Sequence, residues 1–569
     1  MSADAWVQAV ATLAILTAFT VPVGRYLYAV FTGARTFLHP VLAPVEQTIY
    51  RLARIRPDAG MSWQTYIFAM LAMSAVSIAW LYLLLRVQQW LPLNPQGFGN
   101  VAPDLALNTA ISFATTTDWQ AYSGESSLGY LAQMAGCAWQ NFIAAGVGLA
   151  LAIAFIRGLA HAGTSLLGNF WVDLTRGLLY VLLPLSVLGA LVFTWQGVPQ
   201  NFTPYLDVTT LDGSKQTLTG GPMASQEIIK LLGGNGGGFV GANSASPNEN
   251  PTAFTNLVQL VATLLIPVAL THTFGLMVRD RRQGWALFAA MGILVVGGVL
   301  AASWTETAGN PAIHQLGIAG PNMEGKETRF GAAGAGLSVA IATDATTGAA
   351  NVTYDSLMPL TTLVAMVNMQ LGEVAFGGVG SGIAGLLVFA VLTVFTAGLM
   401  VGRTPEYLGK KVERREITCA MLAVLTFPLA ILLAAGVAAV IPAGTSSVGN
   451  GGPRGLSEIV YAFTSVAAGN GSALAALNAN TPYYNIVTGF VMLVGRYAVA
   501  VPTLALAGAF AARAANLNPT PAGTFSTSSP LFVTLLVAVV LIVGALTFVP
   551  ADALGPVADD LLLRAGTTF

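Results

Sequence analysis

Four short clusters in this sequence carry oxygen-bearing residues in a pattern suited to holding a bare cation. They are Thr115, Thr116, Thr117, Asp118, Trp119 and Gln120; the run from Gly233 to Gly238, with Asn235 among the glycines; Thr346, Thr347, Gly348 and Ala349; and Gly469, Asn470, Gly471 and Ser472. Each follows a short apolar stretch, marked by Leu105, Leu107, Ile111 and Phe113, by residues 225–232, by Leu337, Val339 and Ile341, and by Ile459, Val460, Ala462 and Phe463. A stretch of about 10 residues is too short to cross a bilayer and fits a re-entrant segment. Glycine admits the dihedrals that turn successive carbonyls toward one axis. The C-terminal end of a half-helix aims its negative dipole at the same place. Four such units around an axis would exchange the water shell of a cation for carbonyl oxygens. One glycine cluster is ordinarily a turn, whereas four at equivalent places imply a repeat.

The elements that must position these clusters follow from composition. Of 569 residues, 55% are hydrophobic and 9% charged, against about a quarter charged in soluble domains. The net charge of −1 gives no basic field for nucleic acid. A crossing helix needs about 20 apolar residues, and hydropathy predicts ten crossings, near 5–30, 63–90, 129–156, 175–196, 252–278, 284–304, 357–401, 416–441, 482–512 and 528–549. The first is read as an uncleaved helix, because no basic region precedes it. The expected architecture is an all-α polytopic membrane protein of ten transmembrane helices, with four M1-P-M2 pore hairpins around a pseudo-fourfold axis. It divides into an N-terminal helix and loop (1–58), pore repeats over 59–172, 173–282, 283–415 and 416–513, and a C-terminal helix (514–569).

The seventh crossing is too long for one straight helix and holds Gly372, Glu373, Gly377, Gly378, Gly380 and Gly382. So many glycines would free backbone groups that only a cavity or surrounding protein can satisfy. A broken helix is expected, with residues 372–382 forming an intramembrane loop that gates exit. Alternate loops concentrate Arg35, Arg51, Arg54, Arg56, Arg157, Arg176, Arg279, Arg281, Arg282, Lys410 and Lys411, which makes that side cytoplasmic. Both termini then face outward. The opposite loops collect Asp4, Asp104, Asp118, Glu125, Asp207, Asp212, Glu227, Glu249, Glu306, Glu324, Glu327, Asp344, Asp355, Glu458, Asp552, Asp559 and Asp560, expected to form an acidic outer surface that concentrates cations.

Arg496 lies in an apolar stretch and reads either as a snorkelling side chain or as an intramembrane charge that tunes the pore. Arg403 reads as interfacial, with Lys410 and Lys411 contacting lipid or a cytoplasmic partner. His39, His161, His272 and His314 lack ligand spacing, so no transition-metal site is expected. The glycines at 380, 382 and 385 match a dinucleotide fingerprint without its βαβ setting, and 320–326 imitates a phosphate loop but has Glu327 where Ser or Thr is required. No nucleotide site is expected.

The strings NGGGFVGANSASPNENPT (235–252), GEVAFGGVGSG (372–382), GRTPEYLGKK (402–411), NGSA (470–473) and NANTP (478–482) resemble the KdpA family, the potassium-translocating subunit of the Kdp-type potassium-transporting ATPase. The resemblance covers essentially the whole chain. It implies a potassium filter at Gln120, Gly236, Gly348 and Gly471, with Thr117, Asn235, Thr347 and Asn470 offering neighbouring carbonyls, and it matches Asn243 to a family asparagine just past the second filter. The first repeat departs from the family pattern TNTNWQ by carrying Asp118, and the fourth by carrying Gly469, where the family usually has Asn. The resemblance further implies a bacterial inner-membrane location and uptake of K+ driven by a separate P-type ATPase subunit (KdpB-like). A single-span accessory subunit (KdpC-like), a small KdpF-like peptide and membrane lipid complete the implied partners. With no DKTG-type phosphorylation sequence, the chain itself is expected to have no catalytic site. The rival readings are a stand-alone potassium channel or cation symporter of the same superfamily, and a non-conducting scaffold.

Overall fold

Ten helices of the computed structural model, which describes residues 3–402, 404–514 and 526–567, are long and apolar enough to cross a membrane. They are Trp6–Thr32, Trp63–Trp90, Ala132–Ala160, Phe170–Trp195, Ala253–Met277, Arg281–Gln315, Ser381–Met400, Arg414–Ala438, Pro482–Ala512 and Pro530–Arg564, here spans 1 to 10. Between spans 2 and 3, 4 and 5, 6 and 7, and 8 and 9 lie four shorter buried helices: Pro103–Ala114, Met223–Gly233, Gly331–Asp344 and Gly452–Ala468. These are pore helices 1 to 4. The first two have the expected length, while the third and fourth run to 14 and 17 residues. Proline stands within the first turn of the first and fourth, where its missing N–H costs nothing.

Span 3 is the central post. From Ile143 to Phe155 its core residues are almost all buried, because it is packed by pore helices 1 and 2 and by spans 7 and 9. Glycines allow the closest approaches: a Cβ on Gly158 would lie 2.5 Å from the Ala507 carbonyl of span 9, and one on Gly148 2.2 Å from the Val379 carbonyl. Small residues at such crossings substitute for the hydrophobic drive that lipid does not supply. Spans 8 and 10 show the opposite pattern, with Leu422, Leu425, Leu429, Leu433, Leu541, Ile542 and Leu546 exposed, as lipid-facing surfaces require.

The seventh crossing is broken. Pro359–Gln370 ends, residues 371–380 form an irregular loop, and Ser381–Met400 resumes. Gly372, Gly377 and Gly380 hold left-handed φ, as do Glu373 (64°) and Phe376 (63°), an expensive arrangement that surrounding structure must impose.

Two short hairpins interrupt the all-helical plan. Leu206–Thr209 pairs with Lys215–Leu218, and Glu406–Tyr407 with Lys410–Lys411. The second turns on Leu408 and Gly409, both at positive φ, the two-residue geometry that matches strand twist. This hairpin corrects the expectation for Lys410. Its ammonium is buried, not lipid-facing, and donates to the carbonyls of Gly158 (3.2 Å), Leu159 (2.9 Å), Phe510 (2.9 Å) and His161. A cation there satisfies orphan carbonyls at the C-terminal ends of spans 3 and 9. Lys411 remains exposed.

The acidic outer surface is corrected in part: Asp207, Asp212 and Glu324 are exposed, while other acids turn inward. Asp118, Glu227, Glu249, Glu306, Asp344 and Glu458 are buried. Several serve as internal acceptors: Glu458 takes N–H bonds from Gly449 and Asn450 (both 3.0 Å), and Glu306 one from Met358 (2.9 Å). Lys326 of the phosphate-loop look-alike pairs with Glu306 at 2.9 Å.

Candidate functional site: the four filter turns

Each pore helix ends in the same way. A residue in the left-handed region follows it: Thr116 (φ 68°), Gly234 (61°), Thr346 (54°) and Gly469 (78°). The next residue then donates its N–H back five positions: Thr117 to Ser112 (3.0 Å), Asn235 to Lys230 (3.0 Å), Thr347 to Ala342 (2.9 Å) and Asn470 to Ser465 (2.9 Å). This is a Schellman-type cap, and its fourfold recurrence sets the register of the repeats without reference to sequence similarity. Thr117, Asn235, Thr347 and Asn470 are equivalent. So are Asp118, Gly236, Gly348 and Gly471.

The four turns converge. A Cβ on Gly236 would lie 2.0 Å from the Asn470 carbonyl oxygen and 2.2 Å from that of Thr117. One on Gly348 would lie 2.9 Å from the Gly236 carbonyl and 3.1 Å from that of Asn470, and one on Gly471 2.1 Å from that of Thr117. Carbonyls from repeats 1, 2 and 4 thus crowd one small volume, with repeat 3 against them. Side chains tie neighbouring turns together. Asn470 Nδ2 donates to the Thr347 carbonyl at 3.0 Å, the Thr347 hydroxyl donates to the Asn235 carbonyl, and Asn235 Nδ2 donates to the Asn141 carbonyl of span 3 at 3.1 Å. Asn243 Nδ2 donates to the Gly236 carbonyl at 3.2 Å.

A family model described as the potassium-transporting ATPase A subunit, KdpA, matches residues 10–561. The chain belongs to the KdpA family. It is 54% identical over 568 residues to the potassium-transporting ATPase potassium-binding subunit of Solibacter usitatus, covering all of this chain and 99% of that one. The subunit of the same description from Mesorhizobium japonicum is 51% identical over the full length of both chains. A solved structure, the potassium transporter TrkH from Vibrio parahaemolyticus, aligns with TM-score 0.47 at 15% identity, over 84% of this chain and 96% of that one.

In this KdpA-family chain the register of repeat 1 differs from the sequence expectation. Asp118, not Gln120, occupies the place of the three glycines. Gln120 lies two residues further on, where its Oε1 accepts the Gly238 N–H at 2.9 Å and so braces turn 2 from turn 1. Asp118 is 1% exposed at φ 52°, and burial pushes its carboxyl well above the ordinary value of 3.8 despite the nearby Gly237 N–H, Lys230 and Asn141. A buried charge of this kind is costly unless a cation offsets it.

Below the turns lies the loop 371–380 that breaks the seventh crossing. Places for a Cβ on Gly234 fall 3.3 Å from the Val379 nitrogen and 3.4 Å from the Gly378 Cα, while one on Gly378 falls 2.6 Å from the Thr346 hydroxyl. Glu373 Oε1 is 3.7 Å from the corresponding place on Gly469. Hence the loop underlies turns 2 and 3, and its glutamate reaches turn 4. Gly382 and Gly377 nest against each other and against the Phe376 and Glu373 carbonyls, so these glycines hold the loop's own fold. A cavity of about 120 Å³ opens beneath Thr115, Thr117 and Gly469. It passes Gly372, Glu373 and Arg496 and extends between spans 7, 8 and 10 at Phe389, Phe427 and Phe548. Arg496 therefore faces this interior, with Nη2 3.2 Å from the place of a Cβ on Gly148, and does not snorkel. Arg403 lies outside the described residues.

Sequence reasoning missed Lys230, which is fully buried behind turn 2 and contacts Glu227, Glu249 and Asn243. The signal present was Glu227 and Lys230 at a spacing of three on an otherwise uncharged helix.

Proposed function

We propose that this chain takes up K+ from outside the cell in the carbonyl cage formed by the four turns, and passes it to a separate ATPase subunit. The observation that carries this reading is the convergence of Thr117, Gly236 and Asn470 carbonyls at the left-handed caps of pore helices pointing their negative ends at one centre. That arrangement replaces hydration around a monovalent cation. Thr117, Asn235, Gly236, Thr347, Gly348, Asn470 and Gly471 form the cage. Gln120 braces it, and Asp118 adds negative charge. Asn243 holds the Gly236 carbonyl.

The intramembrane loop 372–382 with Gly372, Glu373, Gly377, Gly378, Gly380 and Gly382 closes the inner end, so an ion leaving the cage meets Glu373 and Arg496 and is diverted into the cavity. Its course between spans 7, 8 and 10 points sideways within the bilayer, toward the partner that hydrolyses ATP. KdpB-like, KdpC-like and KdpF-like subunits are the partners this assigns, in a bacterial inner membrane with both termini outside. The segments 1–58, 59–172, 173–282, 283–415, 416–513 and 514–569 are the units of the assembly. Membership of a family of ATPase subunits favours this reading over a gradient-driven channel or symporter.

The test is ATP hydrolysis by the purified chain with its co-purifying ATPase, titrated with K+, Rb+ and Na+. K+ should stimulate at the lowest concentration and Na+ at the highest. Hydrolysis indifferent to all three ions would overturn the proposal.

A further inference from the structure

Behind turn 2, Lys230 is fully buried with the carboxylates of Glu227 and Glu249, and the half-buried Asn243 completes its acceptors. Its Nζ lies 2.5 Å from Glu227 Oε2, 3.4 Å from Glu249 Oε2 and 2.6 Å from Asn243 Oδ1. An ammonium carries three hydrogens and no acceptor, so these three oxygens account for all it can donate. The two carboxylates are engaged on their other sides. Glu249 Oε1 accepts the Val240 N–H at 2.7 Å, and Glu227 Oε1 accepts the Ser244 hydroxyl at 3.1 Å. The cluster therefore clamps residues 240–249, the loop that leaves turn 2, onto the helix that enters it.

Asn243 is the member of this cluster that reaches the cage. A carboxamide has a donor end and an acceptor end of nearly the same shape, so something must decide which end faces the Gly236 carbonyl. Lys230 decides it. Because the ammonium only donates, the amide oxygen must face Lys230, and the amide nitrogen is left to donate to Gly236 at 3.2 Å. The left-handed φ of Asn243 (52°) and the Ser244 N–H on its Oδ1 at 3.2 Å hold the same pose. Turning the amide over would bring two oxygens together at the cage wall and push the Gly236 carbonyl off axis.

We propose that Lys230 is a positioning residue for ion selectivity, acting through the orientation of Asn243 on the Gly236 carbonyl. Glu227 and Glu249 hold the ammonium in place and balance its charge, so a cation can stand close to a cation-binding cage. This inference rests on the potassium-cage reading given above.

The experiment compares apparent affinities for K+ and Rb+ in the ATP hydrolysis of the full chain with its ATPase partner. Lys230→Gln should reduce the ratio of K+ to Rb+ affinity by about tenfold, the effect of losing one net hydrogen bond, while maximal hydrolysis stays within about twofold. The paired variant Glu227→Gln with Lys230→Met, which removes one charge of each sign, should do the same. In an Asn243→Ala background Lys230→Gln should change the ratio no further, because no amide remains to be oriented. A wild-type ratio in both Lys230 variants overturns the inference, as do effects of Lys230→Gln and Asn243→Ala that simply multiply. Failure of both Lys230 variants to assemble also overturns it and makes Lys230 a folding residue. Gly236→Ala separates the two levels of the argument. If it alters the ratio and the Lys230 variants do not, only the role of Lys230 falls; if it too leaves the ratio intact, the cage reading falls.

Discussion

Replacing Gly236 by alanine tests the cage most directly, because its φ is not left-handed and any penalty comes from space alone. The added Cβ would sit 2.0 Å from the Asn470 carbonyl oxygen and 2.2 Å from that of Thr117. Carbon and carbonyl oxygen approach comfortably to about 3.3 Å, so these contacts fall short by about 1.3 Å and about 1.1 Å. Both obstacles are backbone on different turns, and neither can swing away as a side chain would. The same change at Gly348 meets the Gly236 carbonyl and the Ser472 nitrogen at 2.9 Å, a shortfall of only about 0.4 Å by the same limit. Overpacking costs about 1–3 kcal/mol, or about 5- to 150-fold in an equilibrium constant. Gly236→Ala should fall at the upper end of that range for K+ affinity and Gly348→Ala near or below the lower end. The assay is K+-stimulated ATP hydrolysis of the purified complex over a K+ titration, with Rb+ in parallel. Equal effects at the two glycines, or a larger one at Gly348, would refute the convergence on which the assignment depends. Gly471 is a poorer choice, since its φ of 89° adds dihedral strain to the same crowding.

Two further outcomes follow from buried carboxylates. Asp118→Asn keeps the shape of turn 1 and removes a carboxyl that burial holds well above its ordinary value and that ionises only against a bound cation. At about 5 Å and an effective dielectric of about 20, a unit charge is worth about 3 kcal/mol to a bound cation. The variant should bind K+ up to about 100-fold more weakly yet unfold at a higher temperature, and unchanged K+ affinity would remove Asp118 from the cage. Glu46, in the helix His39–Leu52 between spans 1 and 2, accepts from Tyr50 (2.7 Å), Arg176 (2.8 Å) and Tyr180 (2.8 Å). Burial opposes its ionisation, but these donors and the arginine charge win and hold its carboxyl below the ordinary value of 4.5. A lowered pKa gives stability that is present above the ordinary value and lost as pH falls through the folded one. Glu46→Gln should therefore cost about 1–3 kcal/mol at pH 7. The gap in thermal unfolding should close on acidification below 4.5; a gap independent of pH would show that charge is not involved.

Much of this was legible from the chain itself. Ten spans, four half-helices and a break in the seventh crossing follow from apolar length and glycine placement, because bilayer thickness leaves few alternatives. The register of turn 1 was not legible, since Thr116 and Asp118 take left-handed dihedrals that glycine advertises at Gly234 and Gly471 but threonine and aspartate conceal. Charges were read least well. A lysine in a loop or an acid beside a pore helix looks interfacial when only hydropathy is weighed. Lys410, Glu249 and Glu458 are instead internal fasteners whose partners lie on other segments or on backbone. Such pairings depend on which distant groups meet, and local sequence carries no record of them.

The side-chain ties among the turns run in one direction only, from Asn470 to Thr347, from Thr347 to Asn235 and from the Gly238 N–H of turn 2 to Gln120 of turn 1. The equivalent residue of the first turn, Thr117, keeps its hydroxyl on Thr115 of its own turn at 2.9 Å. Among the described residues the stitching is therefore left open where repeats 1 and 4 abut, and the cavity below is lined by Thr115, Thr117 and Gly469 on that same border. A collar sewn on three edges yields along the fourth, so on the proposed reading a cation would leave the cage along the border over the cavity, and the sewn edges would keep their grip.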